Sequence, residues 1–250
     1  MPRPPAGGGV VTALDPAAGA TSLDVRHFAG GGGRPYEAAL AAGAGRLRLA
    51  PARGPAAAVL PVPAGHSVLD VARYAGPADA VDVEVLRRAR GPVLDVGCGP
   101  GRMVHAALRA GLPALGIDVS VAAVAVARDR GLPVLHRSVF GHVPVARGWG
   151  TVLLLDGNVG IGGDPSGLLF RCAQLVAPWG AVVVETHPAA SRDRAFEAVV
   201  TDDAGRRSLP FAWAEVGADA LAPHASAAGL AVGSRWVRTG RTFVGLVPAR

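Results

Sequence analysis

Val93-Leu94-Asp95-Val96-Gly97-Cys98-Gly99-Pro100-Gly101 decides the reading of this chain. Four residues of buried-strand character run into three alternating glycines, and a helix-forming stretch, Arg102 to Ala110, follows until Gly111. Glycines in such a turn let the backbone approach a ligand without a Cβ in the way. The first turn of the next helix offers unpaired N–H groups at the same place. The spacing is Gly-x-Gly-x-Gly. The dinucleotide fingerprint requires Gly-x-Gly-x-x-Gly, and its last position here is Arg102. A phosphate-binding Walker loop needs a lysine, and the chain has none: all 25 of its basic residues are arginine.

Downstream of this turn the chain alternates strands and helices. The expected strands are Ala114–Asp118, Pro133–His136, Thr151–Leu155, Ala181–Glu185, Leu230–Val237 and Thr242–Leu246. Helices are expected from Ser120 to Arg130, Pro165 to Leu175 and Asp219 to Ala228. This rhythm, with continuous apolar strands, predicts an α/β fold: an open Rossmann-like sheet, mostly parallel, with helices on both faces. The last two strands are joined by too few residues for a parallel crossover, so they form an antiparallel hairpin near the C-terminus. Between Val139 and Trp149 there is little room for a helix, and Pro144 interrupts it.

Upstream the texture differs. Residues 1–22 are Ala/Gly/Pro-rich without periodicity and read as a disordered leader. Residues 23–90 read as an N-terminal cap expected to serve ligand recognition, and residues 91–250 as the strand–helix domain. Within the cap, Leu23–Phe28 reads as a strand, Gly30–Gly33 as a flexible spot, Tyr36–Arg48 as helical and Pro51–Pro63 as extended. Val68–Arg90 reads as two helical pieces split at Gly76-Pro77, with Asp79 as N-cap of the second. His187–Val216 has no strand–helix rhythm but holds Phe196, Phe211 and Trp213, and it joins residues 23–90 as the ligand-recognition region.

The 250 residues carry a net charge of +6, and half of them are hydrophobic. That excludes a wholly disordered chain. The absence of lysine and abundance of Ala, Gly, Val, Pro and Arg match a GC-rich coding bias. The arginines are scattered rather than gathered on one face with interleaved aromatics, which argues against a nucleic-acid partner. Cys98 and Cys172 make no disulfide framework. With no span of ~20 apolar residues and no signal pattern, the expected location is the cytoplasm. No metal-ligand spacing is present.

Asp118 ends the strand after the glycine turn, 23 residues beyond Asp95. An acid at about this offset accepts hydrogen bonds from ribose hydroxyls in nucleotide-binding sheets. Together, Leu94–Gly101 and Asp118 resemble the class I S-adenosylmethionine-dependent methyltransferases, over residues 91 to 247. The resemblance implies S-adenosyl-L-methionine as cofactor and methyl transfer as the activity, with a small-molecule acceptor. It implies a glycine turn (Gly97, Gly99, Gly101) beneath the methionine moiety, with Asp95 and Cys98 beside it. Asp118 and Val119 would hold the ribose, and Ser138 and Val139, with Phe140, would flank the adenine. Asp156 and Gly157, in the glycine-rich loop after the fourth strand, would face cofactor or acceptor. Family members often carry an acid where this chain has Arg137-Ser138. His187, following Glu185-Thr186, is the candidate general base, and Tyr74 a weaker candidate from the cap. The tetrad Asp/Asn-Pro-Pro-aromatic is missing, which points away from bases and glutamine as acceptors. Two alternatives remain open: a cofactor-binding regulatory subunit without activity, and a nicotinamide-dependent oxidoreductase, against which the glycine spacing and the lack of a Tyr-x-x-x-Lys pair both count.

Overall fold

The computed structural model describes residues 34–52 and 68–249. The leader, the strand at Leu23–Phe28, the Gly30–Gly33 run, His27, His66 and most of Pro51–Pro63 lie outside the described residues.

Residues 91–249 build the main sheet. Its strands are β3 (Val93–Val96), β4 (Ala114–Asp118), β5 (Val134–His136), β6 (Trp149–Leu154), β7 (Val176–Thr186), β10 (Leu230–Arg238) and β11 (Arg241–Pro248). Their spatial order is β10-β11-β7-β6-β3-β4-β5. The five strands from β5 to β7 are parallel, and β11 inserts antiparallel between β7 and β10. The expected hairpin is therefore present, and it supplies the one antiparallel strand. The order reverses beside β3, and the cleft at the carboxyl ends of β3 and β6 is where such sheets bind ligands.

The crossovers carry α4 (Arg102–Arg109), α5 (Val121–Asp129), α6 (Pro165–Leu175) and α7 (Leu221–Ala227). Ser120 caps α5 by accepting from the Ala123 N–H at 3.2 Å, and Asp164 caps α6. No helix lies between β5 and β6 among the described residues, as the proline there requires. The strand expected at Ala181–Glu185 starts earlier, at Val176, running through Pro178-Trp179-Gly180. β6 is buried at every position, consistent with helices covering both faces.

The cap departs from the sequence expectation. The helix expected over Tyr36–Arg48 ends at Ala41 (α1, Arg34–Ala41), and Arg46–Pro51 is a strand, β1. Val68–Asp70 is a short strand, β2, ahead of a five-residue helix, α2 (Val71–Ala75). Only α3 (Ala80–Arg88) matches as drawn, with Asp79 and Asp82 forming a capping box. The segment without a strand–helix rhythm, His187–Val216, holds two strands, β8 (Asp193–Thr201) and β9 (Phe211–Val216). These pair with the cap strands in a second, wholly antiparallel sheet, β2-β1-β8-β9. Leu47, Leu49, Val200, Phe211 and Trp213 bury one face of it against α1 and against Ala123 of α5. The cap sheet thus combines residues more than 100 positions apart, which no local pattern announces.

Candidate active site

The glycine turn after β3 has the geometry its composition demands. Gly97, Gly99 and Gly101 take φ of 69°, 54° and 88°, left-handed values that side chains rarely tolerate. A Cβ on Gly97 would stand 2.7 Å from Asn158 Nδ2. That amide donates to the carbonyls of Val96 and Gly97 at 2.9 and 3.0 Å, stitching the loop after β6 to the turn. Gly101 serves packing instead: its Cβ would meet Leu132 Cδ1 at 2.5 Å. It is not among the residues lining the cavity, and it seats α4 against the chain after α5.

Between the two sheets lies an inner cavity. The main sheet contributes Asp95, Gly97, Cys98, Gly99, Asp118, Val119, Ser138, Val139 and Asp156, and the cap closes it with Tyr36, Leu49, Leu69, Tyr74, Phe211 and Trp213. Nine of the eleven proposed cofactor-binding residues therefore converge. Phe140 is not among the lining residues; it is 46% exposed and its ring packs on Gly162.

Asp118 is anchored at 2.7 Å by two backbone donors, Gly99 N–H to Oδ2 and Ser120 N–H to Oδ1. Burial raises its pKa, and these N–H bonds work against the rise. The Val119 N–H adds to them, and the carboxylate keeps acceptor capacity for a further donor. Asp95 differs. It is 4% exposed and lines the cavity, yet among the described residues nothing donates a hydrogen bond to its carboxylate. Burial, with Asp156 and Asp118 nearby, pushes its pKa to about 8. Arg137 and Ser138 line the cavity beside Val139. Ser138 Oγ accepts from the Phe140 N–H at 3.3 Å, and Arg137 donates to the His142 carbonyl.

Asp156 lines the cavity, but its carboxylate is already paired with arginines. It sits at φ 55° after β6 and is gripped by Arg73 Nη1 and Arg102 Nη2, with Arg241 Nη2 at 3.8 Å. Burial pushes its pKa up, but Arg102 and Arg73 outweigh that and hold it below the usual carboxylate range. The same arginines converge on Asp82, which is fully buried: Arg102 Nη1 bonds it, Arg241 Nη1 lies at 3.0 Å and Arg73 Nη2 at 3.3 Å. Glu185 completes the cluster, taking Arg241 in a bidentate pair at 2.7 and 2.8 Å and accepting from the Asp156 N–H at 2.9 Å. Three arginines from α2, α4 and β11 thereby tie six segments together at the end of the cavity. Sequence reasoning missed this cluster. One signal was present: Arg102 is the first residue of a helix, where a cation opposes the macrodipole, so a strong local reason must hold it there.

A second, outer cavity of about 660 Å³ adjoins the first. Leu49, Leu69, Tyr74, Asp156 and Trp213 line both. Gly157 and His187 line the outer one alone. The His187 ring accepts from the Ala189 N–H at Nδ1, 3.1 Å, so the neutral ring carries its proton on Nε2, facing Glu215 at 3.8 Å. Its basic lone pair is thereby engaged with the backbone. Glu215 is held in turn by Arg194 at 2.9 and 3.1 Å. His136 bonds the Val119 carbonyl, and His224 bridges Ser166 and Asp193 away from both cavities.

No protein-family model matches the chain, and no curated protein matches it. Solved structures do. A SAM-dependent methyltransferase from Bacteroides fragilis, in complex with S-adenosyl-L-homocysteine, matches at a TM-score of 0.67 and 22% identity, over 86% of this chain and 95% of that one. The CcbJ methyltransferase from Streptomyces caelestis matches at 0.55 and 16%, over 71% and 92%. A sugar N-methyltransferase from a Streptoalloteichus species matches at 0.51 and 18%, over 68% and 88%. The sheet order, the glycine turn and these likenesses agree: the chain has the fold of the class I S-adenosylmethionine-dependent methyltransferases.

Proposed function

We propose that this chain transfers a methyl group from S-adenosyl-L-methionine to a small-molecule acceptor taken up in the outer cavity. The observation that carries the reading is Asp95, a carboxyl that lines a cavity floored by the glycine turn and to which no described residue donates. Such a group is costly unless a ligand satisfies it, and the cofactor's ammonium is the complementary charge. Asp118, lining the same cavity with acceptor capacity left, fits a sugar hydroxyl. Ser138 and Val139 fit the rim of a flat base. When bound, the cofactor supplies an activated methyl on a sulfonium, so the protein's own task is orientation and exclusion of water.

Within this reading the main domain starts near residue 91. Residues 23–90 and β8–β9 act together as the acceptor cap. Tyr74 sits where the cavities meet, its hydroxyl without a hydrogen-bond partner among the described residues. Burial, with Asp156 beside it, raises its pKa and keeps it a neutral phenol, able to accept from an acceptor N–H or O–H. His187 lies at the far wall and acts as a base only after its ring leaves the Ala189 N–H. The size of the outer cavity, within the ~300–1,000 Å³ of ordinary ligand sites, supports a metabolite rather than a polymer. Both cysteines are free and buried, and no described helix is long and apolar enough to cross a membrane. Both facts are compatible with the proposed cytoplasmic location.

Calorimetric titration of the purified protein with S-adenosyl-L-methionine and, separately, with NAD tests the proposal. Saturable binding of the first alone is expected. Binding of NAD alone, or of neither, overturns it.

A further inference from the structure

The segment formed by β2 and α2 has little support of its own. β2 pairs through only three residues with β1, and α2 has five residues, far fewer than a helix needs to be stable alone. Val71 roots it in the cap core, being fully buried there, and Arg130 Nη1 reaches the Ala75 carbonyl at an exposed site. Yet this segment carries Leu69 and Tyr74, which line both cavities. Its tie to the carboxyl ends of the main sheet is Arg73, whose guanidinium bonds Asp156 and lies 3.3 Å from Asp82 and 3.5 Å from Asp79.

Arg73 differs from the other two arginines in a way that matters. Its side chain is 29% exposed, against 4% for Arg102 and 18% for Arg241. Arg102 and Arg241 bind Asp82 from elements of the main domain, and Arg102 bonds Asp156. Withdrawing Arg73 therefore leaves both buried acids still paired. Breaking a buried ion pair is costly chiefly when it strands a charge; here it strands none, and water can reach the departing guanidinium.

We propose that Arg73 is a positioning residue: an ionic latch that holds Leu69 and Tyr74 across the junction of the cavities and sets how fast ligand leaves the inner one. The latch rests on the methyl-transfer reading only for the identity of that ligand. Its opening is a local one, cheaper than unfolding of the sheet it rests on.

Hydrogen exchange on the ligand-free protein is the first arm. In Arg73→Met, the amides of residues 70–76 are expected to lose protection by at least about tenfold, with β6 and α4 unchanged and Arg73→Lys restoring part of it. The second arm is release of preloaded S-adenosyl-L-homocysteine. Arg73→Met is expected to release it at least about tenfold faster. Added NaCl is expected to speed release from the wild type but not from this variant. Exchange and release both within about twofold of wild type overturn the latch. If the wild type takes up no S-adenosyl-L-homocysteine, the methyl-transfer reading fails, while the exchange arm still judges the latch. If Arg73→Met does not fold, wild-type exchange at low and high NaCl decides: selective loss at residues 70–76 supports the latch, and no change overturns it.

Discussion

Asp95 illustrates how one side chain carries both a fold constraint and a function. It follows Leu94 in a fully buried strand, where a carboxyl has no place on packing grounds alone. Folding raises its pKa from the ordinary carboxylate value to about 8, so the folded state binds its proton more tightly than the unfolded one. The stability it contributes is full below about pH 4 and drains away as the pH rises to about 8. Urea unfolding across this window is expected to show stability falling with pH, and Asp95→Asn is expected to flatten that fall. An unchanged slope in the variant removes Asp95 as its source. A cation bound beside Asp95 would ionise it. Binding of S-adenosyl-L-methionine at pH 7 is thus expected to release close to one proton, read from the binding enthalpy in two buffers of different ionisation enthalpy.

At the scale of elements, the site depends on how helices begin. α5 starts three residues past Asp118, and its cap, Ser120, is buried while its own N–H donates to Asp118. Ser120→Ala keeps that backbone bond but removes the cap on Ala123. The expected cost is about 1 kcal/mol, a lowering of Tm by about 2–4 °C for a chain of this size. A thermal melt checks it, and an unchanged Tm would mean that water caps the helix equally well. The strands of the cap show why elements differ in legibility. Arg46-Leu47-Arg48-Leu49 alternates exposed and buried as a half-buried strand does. Four such residues after an alanine-rich helix are too short to mark a boundary. β8 alternates poorly because its first half is exposed and its second half buried.

For the whole molecule, the consequence of two sheets facing one cleft is that ligand couples them. A ligand held by the glycine turn on one side and by Tyr36, Tyr74 and Trp213 on the other binds only the assembled state. S-adenosyl-L-homocysteine at about 100 times its Kd should therefore stabilise by ~2.7 kcal/mol, a rise in Tm of about 5–10 °C. NAD at the same concentration should give no rise. A shift with NAD, or none with S-adenosyl-L-homocysteine, contradicts the cavity assignment.

The sequence alone determined the main sheet, because each of its signals is local. Buried parallel strands are continuous apolar runs, the glycine turn is written in nine consecutive residues, and Asp118 follows at a fixed offset set by one helix and one strand. The closing hairpin was legible from the length of its turn. Only the tertiary structure decided the rest. The cap sheet pairs Arg48 with Thr201, and the cluster around Asp156 joins Arg73 to Arg241. Partners so far apart in sequence leave no periodicity to read. The arginine partners of Asp156 turned on the same distance: what a carboxylate meets depends on what the rest of the chain brings beside it.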